Sequence, residues 1–188
     1  MTDCLTGVSE TAQEPRRGLI TVFTGDGKGK TTAAIGTAVR AAGYGLRVYI
    51  IFFMKGKMFS QGEALALGKF PNIKLACFGH QGWVKKNTAN QEAKEQAVNA
   101  MNLARKIIAG NENDLVILDE INGAVDFGLI PVDDVVKMVA EKPESVDLIL
   151  TGRHADARVI QLADVVTEML NVKHAFDSGV KARQGIDY

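Results

Sequence analysis

The sequence predicts an α/β protein with a mainly parallel β-sheet and helices on both of its faces. Short apolar runs alternate with helix-like stretches along the chain, which is the pattern of strands joined by crossover helices. Runs such as Leu115-Val-Ile-Leu118 and Leu148-Ile-Leu150 are apolar throughout, as strands covered on both faces require. The first run passes through a glycine-rich loop into a helix-like stretch. With 188 residues, 46% of them hydrophobic, the chain can bury one substantial core. A single domain is therefore expected over 18–188, preceded by a polar N-terminal arm over 1–17 that is expected to be flexible and able to serve as a lid.

The first strand is Leu19-Ile-Thr-Val-Phe-Thr24, and Gly25-Asp26-Gly27-Lys28-Gly29 follows it as a loop. Lys30-Thr31-Thr32 then opens a helix that runs on through Ala33-Ala-Ile-Gly-Thr-Ala-Val-Arg40. This order suits polyphosphate binding: backbone N–H groups of a loop poor in Cβ atoms curl around the anion, and the helix aims its positive end at the same charge. Lys30 is placed to reach the distal phosphates and Thr31 to meet Mg²⁺. The loop is a variant, because the usual pattern has glycine where this chain has Thr24. A dinucleotide fingerprint is excluded by Lys30 at the third glycine position. The second apolar run, Leu46 to Met54, also ends in Lys55 and not in an acid that could hold a ribose hydroxyl.

Further strands are expected near 46–53, 73–78, 114–119, 146–151 and 165–170, and helices near 88–109, 131–140 and 155–163. Ligands of open parallel sheets collect where the strands end. That rule selects the loop 24–31, Lys55 to Gln61, Gly79 to Lys85, Asp119 with Glu120, and Thr151-Gly-Arg153. Asp119 and Glu120 close an apolar strand, and one of these carboxylates can hold Mg²⁺ directly or through water.

Lys plus Arg equals Asp plus Glu at 22 each, so no overall charge favours nucleic acid or an anionic membrane, and neither is an expected partner. Cys4 and Cys77 form no metal motif and read as free thiols of a reducing compartment. No run approaches the roughly 18 apolar residues of a spanning helix, and the N-terminus lacks a secretory signal, so a cytoplasmic location is expected. His80, His154 and His174 share no ligand spacing, so no protein-bound zinc is expected. Nothing resembles a nucleophile–base–acid set.

Several segments together resemble the P-loop type of ATP:corrinoid (cob(I)alamin) adenosyltransferases: Thr24 to Thr32, Val116-Ile-Leu-Asp-Glu120, Leu150-Thr-Gly-Arg153, Leu162-Ala-Asp164, and the ending Val172-Lys-His-Ala-Phe-Asp-Ser-Gly-Val-Lys-Ala-Arg-Gln-Gly-Ile-Asp-Tyr188. The resemblance implies a P-loop NTPase-like (RecA-like) fold. It also implies transfer of the 5′-deoxyadenosyl group of ATP to Co(I) of a corrinoid, with release of triphosphate, in adenosylcobalamin biosynthesis or salvage.

On that resemblance, Thr24, Gly25, Asp26, Gly27, Lys28, Gly29, Lys30, Thr31, Thr32, Arg40 and Arg153 are expected to bind ATP. Lys30, Thr31 and Glu120 carry the catalytic assignments, and Thr31, Asp119 and Glu120 the Mg²⁺. Phe78, Gln81 and Trp83 are expected on the corrinoid side, where Gln81 replaces a phenylalanine found in some members. The family further implies a flavoprotein electron donor and a homodimer. The readings set against it are a P-loop ATPase or small-molecule kinase, and a non-catalytic corrinoid carrier.

Overall fold

The computed structural model describes residues 17–56, 62–79 and 91–187. The expected arm therefore lies, apart from Arg17, outside the described residues. Six strands build one sheet: β1 (Ile20–Thr24), β2 (Val48–Phe52), β3 (Ile73–Cys77), β4 (Leu115–Asp119), β5 (Asp147–Thr151) and β6 (Val165–Glu168). Their order is β3-β2-β4-β5-β1-β6, and every pairing is parallel. Among the described residues six α-helices join them: α1 (Lys30–Gly43), α2 (Gly62–Leu67), α3 (Gln91–Ala109), α4 (Ile121–Asp126), α5 (Val132–Ala140) and α6 (Ala157–Leu162).

Side chains alternate across each central strand, so one apolar run supplies two cores. Val48, Ile50, Phe52, Leu115, Ile117 and Ile149 pack with Ala34, Ala38, Ala41 and Ala42 of α1. Ile51, Phe53, Val116, Leu118, Leu148 and Leu150 pack on the opposite face with Ala97, Ala100 and Ala104 of α3 and with Val135 and Val139 of α5. Both faces of β2, β4 and β5 are thus covered, which is why those runs show no polar alternation. Alanine lines the sheet-facing side of α1 and α3, where a small side chain lets the helix lie close.

The strands and longer helices match their expected places to within a few residues. Two short helices were not anticipated. α4 contains Asn122-Gly123, a turn-favouring pair, and α2 spans only six residues, so neither has enough periodicity to stand out. The last strand is shorter than its apolar run because the chain leaves the sheet at Met169 and turns beneath the glycine loop. There Met169 N–H bonds Thr24 O at 2.9 Å, and Gly27 N–H bonds Met169 O at 2.7 Å.

The carboxyl ends of β1, β2, β4 and β5 come out side by side on one edge, with Phe52 opposite Asp119 and Phe23 opposite Thr151 in the ladder. Everything that follows is built on this edge.

Candidate active site

The glycine loop joins β1 to α1. Gly25 and Gly29 have φ of 93° and 113°, which only glycine adopts without strain. A Cβ on Gly25 would lie 2.5 Å from Met169 O, and one on Gly27 would lie 2.6 Å from Leu170 O. The alternate glycines are therefore needed where the loop rests on the chain leaving β6. Thr24, in the place of the usual first glycine, is the buried end of β1, and its hydroxyl accepts the Ala155 N–H at 3.2 Å. A threonine here ties the loop to the β5–α6 connection.

Helix α1 starts at Lys30 without a side-chain cap and without an acid in its first turn. Its leading amides thus carry no competing carboxylate, the condition an anion needs. Lys30 is buried, and its ammonium donates to Gly25 O and Gly27 O, both at 2.7 Å. Burial pulls its pKa below the ordinary lysine value, opposed chiefly by the Glu120 carboxylate. Thr31 is half-buried and Thr32 exposed in the same first turn.

Facing the loop, β4 ends in Asp119, which is wholly buried. Lys55, just past β2, donates to Asp119 Oδ2 at 2.6 Å, and Thr151 Oγ1 donates to Asp119 Oδ1 at 2.7 Å. The Thr151 hydroxyl in turn accepts the Glu120 N–H at 2.9 Å. Glu120 has a left-handed backbone, φ 63°, and no hydrogen bond to its carboxylate among the described residues. Burial raises its pKa, with Asp119 adding to the shift and Lys55, Lys30 and Arg153 opposing it.

The β5–α6 connection supplies the other wall. Arg153 Nε and His154 Nε2 each stand 3.7 Å from Asp26 Oδ1 of the loop, and His154 Nδ1 is 3.1 Å from Asp126 Oδ2. Gly152 makes this approach possible: its φ is 131°, and a Cβ there would lie 2.6 Å from Gly123 N. The C-terminal segment closes the outer side. Asp187 pairs with Lys28 of the loop and accepts the Arg183 N–H and Nε–H at 2.9 and 3.0 Å. These cations hold its carboxyl well below the usual carboxylate range.

The structure thus gathers Thr24 to Thr32, Asp119, Glu120 and Arg153 around one cleft. It does not bring Arg40 there. Arg40 is exposed in the last turn of α1, ten residues beyond Lys30 and so about 15 Å along the helix axis. Phe78 follows β3, its side chain packs against the core cluster that includes Phe53 and Ile121, and its carbonyl accepts the Lys55 N–H at 2.8 Å. Gln81 and Trp83, like His80, lie outside the described residues. Lys55, Thr151, His154, Met169 and Asp187 are structural members of the site to which the sequence reading gave no role. For Lys55 and Thr151, the position just after a strand was already a signal.

Among the described residues no group of three or more His, Cys, Asp or Glu is placed to hold a metal ion. The arrangement suits Mg²⁺ that arrives with phosphates, because such an ion takes one or two carboxylates and keeps phosphate and water for the rest. The Glu120 carboxylate and the Thr31 hydroxyl are the side chains available for that. Among the described residues no helix is long and apolar enough to cross a membrane.

Comparison with known proteins places the chain by fold and by family. The KaiC-like protein PH0186 from Pyrococcus horikoshii OT3 superposes with a TM-score of 0.54 at 16% identity, over 81% of this chain and 73% of that one, a likeness of fold alone. It fits the α/β, P-loop-like architecture. Corrinoid adenosyltransferase CobA of Salmonella typhimurium (strain LT2) is 40% identical over 178 residues, 94% of this chain and 88% of its own. The corrinoid adenosyltransferase of Escherichia coli (strain K12) is 39% identical over 176 residues, 93% and 88% of the two chains. That of Pseudomonas aeruginosa PAO1 is 35% identical over 172 residues, 92% and 84%. A family model matches residues 16–188, a span that takes in the glycine loop, the Asp119-Glu120 strand end and the C-terminal segment together, and the chain therefore belongs to the ATP:corrinoid adenosyltransferase BtuR/CobO/CobP family.

Proposed function

We infer that this protein transfers the 5′-deoxyadenosyl group of ATP to the Co(I) of a corrinoid and releases triphosphate. Family membership carries the reaction, and the glycine loop with buried Lys30 is the observation that supports the nucleotide half. Co(I) is already a strong nucleophile, so the protein's work is alignment and stabilisation of the departing triphosphate.

The roles join position in the cleft to what the family resemblance implies. The amides of Gly25 to Gly29, except the Gly27 N–H already given to Met169, surround the phosphates, and Lys30 exchanges its two loop carbonyls for phosphate oxygens. Thr31 and Glu120 would hold Mg²⁺, which would neutralise charge on the triphosphate. Arg153, exposed opposite the loop and weakly held by Asp26 at 3.7 Å, is free to turn to the same anion. Thr24, Asp26, Lys28 and Thr32 complete the ATP-binding loop. Arg40 stays a candidate phosphate partner only if the nucleotide reaches the far end of α1. Phe78, Gln81 and Trp83 form the corrinoid side, with the arm 1–17 as its cover over a single domain at 18–188. A flavoprotein donor that supplies Co(I), a homodimeric assembly and a cytoplasmic location complete the proposal.

Nucleotide analysis tests it against the kinase or ATPase reading. Incubation with MgATP and a reduced corrinoid should yield triphosphate and no ADP; ADP as the product would return the chain to phosphoryl transfer.

A further inference from the structure

The two acids at the end of β4 have unequal surroundings. Asp119 is fully buried, and both of its oxygens are taken, one by Lys55 and one by Thr151. Among the described residues Glu120 presents a carboxylate without a hydrogen bond, on a left-handed backbone whose N–H is held by the same Thr151 hydroxyl. Lys55, Asp119, Thr151 and the Glu120 amide therefore form one chain of contacts linking β2, β4 and β5.

Lys55 is itself well held. Its side chain is 18% exposed, its ammonium lies 5.1 Å from the centroid of the Phe52 ring, and its N–H bonds Phe78 O. A cation so placed is a fixed counter-charge and not a mobile surface lysine. The Phe78 carbonyl also puts Lys55 where β2 and β3 end together, and a Cβ on neighbouring Gly79 would lie 2.6 Å from Lys55 N.

We propose that Lys55 is a positioning residue: with Thr151 it makes Asp119 a strut that fixes the Glu120 backbone, and leaves Glu120 as the carboxylate of the pair that meets the metal. This rests on the reading that the cleft binds ATP with a divalent cation. It assigns Asp119 a different task from the direct metal ligation expected of such a strand-end acid. Asp119 acts through Lys55 and Thr151 on geometry, and Glu120 acts on the ion.

The full-length protein can be tested without turnover, since ATP has no acceptor when corrinoid is omitted. Mn²⁺ replaces Mg²⁺ as a paramagnetic probe, and the carboxyl carbons of aspartate or of glutamate are labelled with ¹³C in separate preparations. Electron–nuclear double resonance of the Mn²⁺–ATP complex should show ligand-range ¹³C coupling in the glutamate-labelled protein, lost in Glu120→Gln, and none in the aspartate-labelled protein. A ligand-range aspartate coupling that disappears in Asp119→Asn overturns the proposal while leaving the nucleotide reading intact. Failure of the wild-type protein to take up Mn²⁺–ATP at all overturns both.

Binding supplies the second arm. Lys55→Met should weaken Mn²⁺–ATP binding by about tenfold or more, the usual consequence of losing a partner behind a metal ligand. Lys55→Arg should retain most of the affinity. In the double variant Lys55→Met/Asp119→Asn affinity should stay within about threefold of that of Asp119→Asn alone, because Lys55 acts only through Asp119 and the two form one coupled unit. Single losses that simply add in the double variant would contradict the strut role. If Lys55→Met does not fold, the isotope measurement on the wild-type protein still decides.

Discussion

Thr151→Val removes the shared hydroxyl of the site while keeping the shape of the side chain. Thr151 is fully buried, so valine's methyl has no solvent to occupy and no new cavity opens. The hydroxyl makes two hydrogen bonds, as donor to Asp119 at 2.7 Å and as acceptor from the Glu120 amide at 2.9 Å. A hydrogen bond to a carboxylate is worth about 1.5–3 kcal/mol, and a buried amide left without a partner costs about 1–3 kcal/mol. The two effects share one atom and overlap, so the expected loss is about 3 kcal/mol. For a chain of this size that corresponds to a fall in Tm of roughly 6–12 °C.

Thr151→Ser is the control. It keeps the hydroxyl and gives up one buried methyl, a loss of about 1 kcal/mol. Urea denaturation of the ligand-free protein, read by both fluorescence and circular dichroism, gives the two differences directly. A valine variant within about 1 kcal/mol of wild type, or a serine variant less stable than the valine one, would show that this hydroxyl does not hold the β4 and β5 ends together.

Three other outcomes follow from the proposed roles. Lys30→Ala should cut adenosyl transfer by about 10² or more, as expected when a cation facing the departing charge is lost, and near-normal turnover would sink that assignment. Glu120 binds its proton more tightly in the fold than in the unfolded chain, so it lowers stability as pH rises from the ordinary glutamate value through its raised one. Ligand-free Glu120→Gln should therefore be more stable than wild type at neutral pH, with the gap closing below about pH 4, and MgATP should stabilise it less; a gap independent of pH would contradict this. Trp83→Ala should lose more activity with Co(II)-corrinoid and a reductase than with prereduced Co(I)-corrinoid, whereas equal losses would argue that Trp83 only packs.

The parallel sheet was legible because its central strands are buried on both faces and so lack alternation, as in Leu115-Val-Ile-Leu118. The phosphate loop was legible because its chemistry needs glycine, lysine and threonine in a fixed local order. What the residues could not announce were contacts between distant segments. Gly25 and Gly27 look like generic loop glycines, yet their Cβ positions are filled by Met169 and Leu170, more than 140 residues away in the chain. Asp119 and Glu120 look equivalent as neighbours in sequence. Only the arrival of Lys55 from just past β2 and of Thr151 from β5 separates a carboxylate with a partner on each oxygen from an open one. Arg40, expected at the phosphates from the family resemblance, stands ten residues beyond Lys30 on the loop's own helix.

Adenosyl transfer requires that Co(I) attack C5′ of ATP and that the triphosphate leave intact. Anaerobic incubation of the purified protein with MgATP and chemically reduced cob(I)alamin, with the corrinoid spectrum and the phosphate products followed together, tests it most directly. A light-sensitive alkylcobalamin spectrum that grows in step with an equal amount of triphosphate is the predicted result. ADP with an unchanged corrinoid spectrum, or binding of both ligands without any product, would contradict it.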